Sequence, residues 1–408
     1  MLYEKAGCPF RSAYQVLCDL PDSQCKVLFQ EGFDDGCQLG NYKEMKCLLN
    51  PSTRRVLILS LPLMIERLES RTEWKPTSFF LDATYKICKE GLHLYGLLVD
   101  VNLSGYPVGY MFIGGAGDAG DTKRLGFKFL TLMKQAYPDL ASIKTAHVDK
   151  DMSEIANIKS VFPHTDVKLC WWHVNKAVRL ALATRGDSKS LDIREDLGPE
   201  ANEIVLEWNK LDQVDENPLS ERDRKLVRSE MDAHMMRHPY FESMTAENIR
   251  RDCVTHMLKF VYSRFPQKRW IFGYLYRNWY TLRFWTLWAH SAYEAVPIHR
   301  TTMIIESHWK WLKYYALAKK KPRLDALFYI IIPQVYNSIL PRMSAYVSKT
   351  HKTLEGERKK LAIKRLAGHQ ANVDIKNWIC PCRYYTYHRH MMCAHLVQKF
   401  LNDVCGWK

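Results

Sequence analysis

The stretch SFFLDATYKI, residues 78–87, begins a series of three short runs rich in β-branched and aromatic residues. LYGLLVDVNL (94–103) and YPVGYMFIGG (106–115) follow it, and Gly and polar residues separate the three. Runs of this length and composition, bounded by turn residues, are typical of strands. The sequence therefore predicts three consecutive antiparallel strands beginning near residue 78.

Helices and strands alternate after the third run. We predict a helix over 121–137, a strand at IKTAHVD (143–149), a helix at MSEIANIKSVF (152–162), a strand at VKLCWWHV (167–174) and a helix at NKAVRLAL (175–182). Three strands followed by alternating helices and strands is the order of a ribonuclease H-like fold. The predicted fold class is α/β, a ribonuclease H-like mixed sheet with a helical insertion and a small zinc-binding module.

The remaining pattern divides the chain further. Residues 75–183 form the first part of the predicted core, 184–296 a helical insertion, and 297–345 the last part of the core. A basic linker (346–372) and a cysteine-containing module (373–408) follow. In the insertion, Trp279, Trp285 and Trp288 could stack on bases, although a core role is the commoner one for such aromatic residues.

Composition and charge favour a nucleic-acid partner. The 408 residues carry a formal net charge of +15, and residues 300–408 contain 20 Lys and Arg against 6 Asp and Glu. A basic surface of this kind attracts polyanions, although it can also serve only solubility. No apolar run is long enough to span a membrane and no secretory signal is apparent, so the 12 cysteines are expected to be reduced thiols in an intracellular protein.

Three acidic residues are candidates for a catalytic metal site. Asp82 lies inside the first predicted strand, where a carboxylate is costly unless it is used. Asp149 ends the fourth predicted strand, and Glu306 lies in the predicted helix of RTTMIIESHWKWLK. Phosphodiester chemistry needs carboxylates that hold two divalent ions about 4 Å apart. Taken singly, an aspartate at either position is more commonly a cap or turn residue, and Glu306 is more commonly a surface helix residue; the positions of Asp82 and Asp149 on two predicted strands of one sheet favour the site.

Four blocks of the sequence resemble the catalytic blocks of Mutator-like (MULE) DNA transposases, and they occur in that family's order. The blocks are FLDATYK, HVDKDMSEIANIKSVFP, LCWWHVNKAVR and RTTMIIESHWKWLK. The resemblance implies a DDE transposase in which Asp82, Asp149 and Glu306 bind two Mg²⁺ or Mn²⁺ ions. It also matches Cys170 and His173 to the family's C-x-x-H element. On a strand these two side chains would point to opposite faces, so supporting roles are favoured over joint metal ligation.

The string CPCRYYTYHRHMMCAH near the C-terminus provides four ligands of the kind a structural zinc ion takes. They are Cys380, Cys382, Cys393 and His395, and His388 or His390 could substitute. The pattern looks like a SWIM-type zinc finger, which commonly follows MULE catalytic domains. Residues 1–50 resemble only the tail of a WRKY- or FLYWCH-like finger, and we interpret them as a remnant of one with its linker.

Basic residues beside and after Glu306 are the candidate DNA contacts. They are Lys310, Lys313, Lys319, Lys320, Lys321 and Arg323, and the tract KKKPR (319–323) could instead be a nuclear-import signal or a solvated helix end. The resemblance implies a nuclear enzyme that acts on transposon ends and target DNA as a homo-oligomer, with no membrane contact. Two alternatives stay open: a domesticated DNA-binding regulator without mobility, and a ribonuclease H-like nuclease acting on RNA.

Overall fold

The structure is a computed structural model. It describes residues 9–31, 54–70, 75–101, 104–114, 119–184, 186, 191–193, 195, 197–211, 214–235, 244–293, 299–345, 373, 395, 396 and 399. The chain divides into two compact units. Unit 1 contains residues 1–170 and 301–352, and unit 2 contains residues 171–300 and 353–408.

Unit 1 is built on a mixed sheet of seven strands. They are β1 (Lys26–Glu31), β2 (Arg55–Ser60), β3 (Ser78–Thr84), β4 (His93–Val101), β5 (Ser104–Gly114), β6 (Thr145–Val148) and β7 (Asp166–Leu169), in the order β1-β2-β5-β4-β3-β6-β7. Strands β1 to β5 pair antiparallel, whereas β3, β6 and β7 are parallel. This α/β sheet agrees with the strand order predicted for a ribonuclease H-like fold.

Six helices accompany this sheet among the described residues of unit 1. They are α1 (Pro9–Asp19), α2 (Pro62–Glu69), α3 (Ala119–Ala136), α4 (Met152–Val161), and, after unit 2, α11 (Met303–Trp311) and α12 (Leu324–Ala345). The amide of Asn157 on α4 donates to the carbonyl of Lys123 on α3 at 2.8 Å. The backbone of α11 continues through residues 312–316 as a π-helical turn. Helix α11 packs on β3, β4 and β5, the centre of the sheet.

Unit 2 is helical throughout its described elements. They are α5 (Trp171–Ala181), α6 (Pro199–Asn209), α7 (Glu221–Met235), α8 (Ala246–Arg264), α9 (Arg269–Leu275) and α10 (Leu282–Trp288), with a π-helical turn at 276–280. Trp279, Trp285 and Trp288 are fully buried there. The indole N–H of Trp288 donates to the carbonyl of Trp279 at 2.7 Å. These tryptophans are core residues, so in this structure they present no face on which a base could stack.

Two parts of the structure differ from the sequence prediction. Residues 171–174 were predicted to be strand, yet β7 ends at Leu169 and the helix α5 begins at Trp171. In addition, β1 and β2 extend the sheet beyond β5, and β1 lies within the segment interpreted as a finger remnant. Of the cysteines in that segment, Cys18 is exposed and Cys25 is buried. Among the described residues, no helix combines the length and apolarity that a membrane crossing needs.

Candidate active site

Asp82 and Asp149 lie at the same end of two neighbouring parallel strands, the carboxyl ends of β3 and β6. We call the place where these two carboxylates lie the acidic edge. The parallel pairing of β3 with β6 matches Ser78 with Thr145 and Phe80 with His147. Continued by two residues, this register brings Asp82 level with Asp149, which directly follows β6. Carboxyl ends of parallel strands are where α/β sheets usually bind ligands. Both aspartates are half-buried at this edge.

Trp309 attaches the helix that carries Glu306 to the strand that carries Asp82. Its indole N–H donates to Oδ2 of Asp82 at 3.0 Å, across 227 residues of sequence. The close approach depends on Gly96, which pairs directly with Asp82 across β3 and β4. A Cβ on Gly96 would lie 2.5 Å from Cη2 of Trp309. The absence of a side chain at this position makes room for the indole.

Glu306 is oriented by the first turn of α11. The hydroxyl of Thr302 donates to its Oε1 at 3.0 Å, and the Thr302 amide in turn donates to Sγ of Cys170 at 3.4 Å. A carboxylate oxygen of Asp149 lies within 4.8 Å of the same sulfur. Cys170, which is buried, thus contacts the start of α11 and is close to the second aspartate. The supporting role that the sequence favoured for Cys170 stays a prediction.

The three predicted acids are linked by these contacts but do not meet at one point. Among the residues that the structure describes, Asp82, Asp149 and Glu306 do not form a group whose carboxylate oxygens all lie within 4.8 Å of one another. Each is half-buried. Any joint site for the three is therefore wider than a single ion's coordination shell, whose metal–oxygen distances are about 2.0–2.1 Å for Mg²⁺.

Glu154 is a fourth acid that the sequence reasoning missed. Desolvation, followed by the charges of Asp151, Asp82 and Asp149, raises its pKa to about 8. Asp151 and Glu154 also line a cavity of about 260 Å³. Asp151 is also the N-cap of α4, because its side chain accepts hydrogen bonds from the amides of Ser153 and Glu154.

The charge of Asp82 affects the pKa values of two further side chains, Tyr85 and Lys313. Burial raises the pKa of Tyr85, and the charge of Asp82 adds to that increase. Burial lowers the pKa of Lys313, and Asp82 opposes the decrease. Tyr85 stands in edge contact with His93, with ring centroids 4.4 Å apart. Lys86, which follows Tyr85, has a φ of 61°, an uncommon left-handed conformation for a residue other than glycine.

His173 lies in the first turn of α5, where its half-buried ring packs edge-on against Trp172 with centroids 4.7 Å apart. The prediction that Cys170 and His173 point to opposite faces of one strand was wrong. β7 ends before Cys170, and the C-x-x-H element spans the start of a helix.

The predicted DNA contacts differ in their surroundings. Lys310, Lys319, Lys320 and Lys321 are exposed, whereas Lys313 and Arg323 are half-buried. Arg323 forms a salt bridge with the buried Asp325 at the start of α12, with Nη2 and Oδ2 2.8 Å apart. Its guanidinium therefore has a structural partner, whereas the exposed lysines are open to solvent.

The predicted zinc ligands fall mainly outside the described part of the chain. Cys380, Cys382 and Cys393 lie outside it, as do His388 and His390. His395 is described and half-buried. The zinc-binding module accordingly stays a prediction of the sequence.

One comparison with known proteins bears on this site. The family model described as "Zinc finger SWIM domain-containing protein 1/3, RNaseH-like domain" matches residues 70–168. No curated protein matches the chain. The matched segment contains Asp82, Asp149 and Glu154 but not α11. Residues 70–168 are thus similar to an RNaseH-like domain of SWIM-containing proteins, in agreement with the α/β sheet.

Proposed function

We propose that the chain is a DDE-class DNA transposase of Mutator-like type, which hydrolyses phosphodiesters at transposon ends and transfers the freed 3′-hydroxyl to target DNA. The observation that carries the proposal is the hydrogen bond between Trp309 and Asp82. It brings the helix of Glu306 onto the sheet edge where Asp82 and Asp149 lie. This contact supports a site built from acids that are distant in sequence, the kind of site that two-ion phosphodiester chemistry requires.

The donor set suits divalent cations such as Mg²⁺ or Mn²⁺. Asp82, Asp149 and Glu306 offer only carboxylate oxygens, the ligands that Mg²⁺ prefers. Desolvation is the main cause of the raised pKa of Glu154, and the charges of Asp151, Asp82 and Asp149 add to it; a cation would relieve the repulsion among these acids. In this proposal Asp82, Asp149 and Glu306 hold two ions. Such ions activate a nucleophile and stabilise the leaving oxygen.

The protein's own residues fix the acids in place. Trp309 and the amide of Ala83 each donate to an oxygen of Asp82, at 3.0 and 2.7 Å, so its carboxylate cannot rotate freely. Thr302 restrains Glu306 in the same way. Lys313, close enough to Asp82 for their charges to interact, supplies positive charge where a phosphate would enter. Orientation and charge are the contributions expected from the scaffold of a phosphoryl-transfer site.

A cleavage assay with one acid removed tests the proposal. Purified protein should cut labelled duplexes taken from the DNA that flanks the gene when Mg²⁺ or Mn²⁺ is present. Asp149→Asn should abolish cleavage while leaving the midpoint temperature of thermal unfolding unchanged. Asp139→Asn, which removes an exposed acid from the same unit, is the matched control and should cut normally. Equal cleavage by Asp149→Asn would end the enzymatic proposal. DNA binding without cleavage by the wild type would favour the regulator, and cleavage of RNA alone the ribonuclease.

The C-terminal module and the location complete the proposal. We infer that Cys380, Cys382, Cys393 and His395 bind one structural Zn²⁺ in a SWIM-type finger, since a module of this size has too small a core to fold unaided. The family whose RNaseH-like domain matches carries SWIM in its description, which supports this inference. A transposase acts on chromosomal DNA, so we propose a nuclear location and assembly as a homo-oligomer on DNA.

A further inference from the structure

Two tyrosines directly beyond the Glu306 helix are exposed to solvent. Tyr314 is 53% exposed and Tyr315 is 72% exposed. Both lie in the π-helical turn at 312–316, and turns of this kind occur frequently at functional sites. After it, Ala318 and Lys319 adopt left-handed conformations with φ of 46° and 63°, which end the helix. Two exposed tyrosines that are consecutive in the sequence thus follow the helix that carries Glu306.

Lysines precede and follow these tyrosines in the sequence, and no acidic residue occurs between positions 307 and 324. We define the tyrosine–lysine strip as Lys310, Tyr314, Tyr315, Lys319, Lys320 and Lys321. The ammonium of Lys319 lies 5.4 Å from the ring centroid of Tyr314, within cation–π range. Within the described chain, the lysines of the strip form no ion pair with a carboxylate. The strip is therefore both aromatic and electropositive.

The strip adjoins the acidic edge. Tyr314 follows Glu306 by eight residues, which corresponds to about 12 Å along a helix. Lys313, between them, senses the charge of Asp82. A DNA strand rises about 3.4 Å per nucleotide in a duplex. A strand with a phosphate at the acids would accordingly reach Tyr314 within three or four stacked nucleotides.

We propose that the tyrosine–lysine strip binds an unpaired segment of the DNA strand beside the acids, with the tyrosine rings stacking on bases and the lysines contacting phosphates. This inference rests on the proposed function and adds the state of the DNA. In a duplex the base faces are covered by their neighbours, so an exposed ring gains little from paired DNA. Positive grooves combined with aromatic platforms are the means by which proteins bind single strands.

The test compares two DNA probes by fluorescence anisotropy in the full chain carrying Asp149→Asn. One probe is a fully paired duplex, and the other has the same sequence with one unpaired 3′ end. Tyr314→Ala and Tyr315→Ala should each weaken binding of the unpaired probe about tenfold, the effect of losing one stacked base. Affinity for the paired duplex should stay unchanged. The Phe variants at both positions should bind the unpaired probe as the parent does, because a phenyl ring still stacks.

Tyr329→Ala is the matched control, since Tyr329 is 66% exposed on α12 and lies outside the strip. It should leave the affinity for both probes unchanged. The inference is overturned if the Ala variants at 314 and 315 bind the unpaired probe like the parent, or if they lose affinity for both probes equally. Asp149-dependent cleavage by the wild type alongside such a result would leave the proposed function standing. If the parent protein binds neither probe, both the inference and the proposed function are overturned.

Discussion

Replacing Glu154 with glutamine is expected to remove most of the pH dependence of stability around the acidic edge. Desolvation, and then the charges of Asp151, Asp82 and Asp149, raise the pKa of Glu154 from 4.5 to about 8. The folded protein therefore holds this proton more tightly than the unfolded chain. Its contribution to stability is fully present below about pH 4.5 and is lost as the pH rises toward 8.

The size of the effect follows from the shift in pKa. One pKa unit corresponds to about 1.4 kcal/mol. Between pH 5.5 and 7.5, both within the window between the two pKa values, the free energy of unfolding should fall by up to about 3 kcal/mol in the wild type. The figure is an upper bound, because screening by solvent weakens the repulsion between the carboxylates. Glu154→Gln has no proton to lose, so its stability should stay nearly flat over this range.

Hydrogen exchange measured by mass spectrometry is the appropriate assay. It gives the free energy of opening for individual peptides, so it does not require the two units to unfold together. Peptides from β3, which contains Asp82, and from β6, which leads into Asp149, should show the pH dependence in the wild type. Glu66→Gln, which removes an exposed acid on α2, is the control for the change in net charge and should keep the wild-type slope.

Divalent cations provide a second reading of the same experiment. At pH 7.5, Mg²⁺ should restore part of the lost opening free energy in the wild type, because it offsets the repulsion among the acids but not the desolvation of Glu154. Equal slopes in the wild type and Glu154→Gln would refute the reasoning. That result would mean that the Glu154 carboxylate is solvated and does not sense Asp82 and Asp149.

Four other outcomes are expected. Trp309→Phe should lower stability by about 1.5–3 kcal/mol, the cost of a lost hydrogen bond to a charged group, and should slow Mg²⁺-dependent cleavage; Trp311→Phe on the same helix should do neither. Gly96→Val should reproduce the Trp309 defect in thermal unfolding and cleavage, because its side chain would occupy the space of the indole. Metal analysis should find about one zinc per chain in the wild type and none in Cys393→Ser, and the unfolding temperature of unit 1 should stay unchanged. Truncation after Leu340 should reduce both DNA affinity and its salt dependence in binding titrations.

The central strands could be predicted from the sequence because local composition determines them. Strands β3, β4 and β5 are apolar runs between turn residues, and each is largely buried. The edge strand β1 is only partly buried along its length and has no alternating pattern. β1 is defined by its pairing with β2, which lies more than twenty residues further along the chain. The local sequence of β1 therefore did not predict a strand.

Residues 171–174 were predicted incorrectly because aromatic and β-branched residues favour strands locally. In the structure, the buried side chains of this segment follow helical spacing instead. Trp171, Val174 and Val178 are buried at helical spacing, while Trp172 is exposed. Trp171 also stacks on Trp288, with ring centroids 5.4 Å apart. Tertiary packing of one indole outweighed the intrinsic preference of its neighbours.

The sequence could single out Asp82, Asp149 and Glu306 as candidates, but it could not predict the contacts around them. A glycine opposite Asp82 is ordinary in a strand, and a tryptophan one turn after Glu306 is ordinary in a helix. Their relation appears only when α11 is laid on the sheet, where the indole occupies the space above Gly96 and reaches Oδ2 of Asp82. Because a strand glycine loses packing and conformational freedom, the space it leaves for Trp309 is a compensating gain. Gly96 and Trp309 should therefore be substituted together: a smaller residue at 309 should tolerate a side chain at 96, at the expense of the hydrogen bond that holds Asp82.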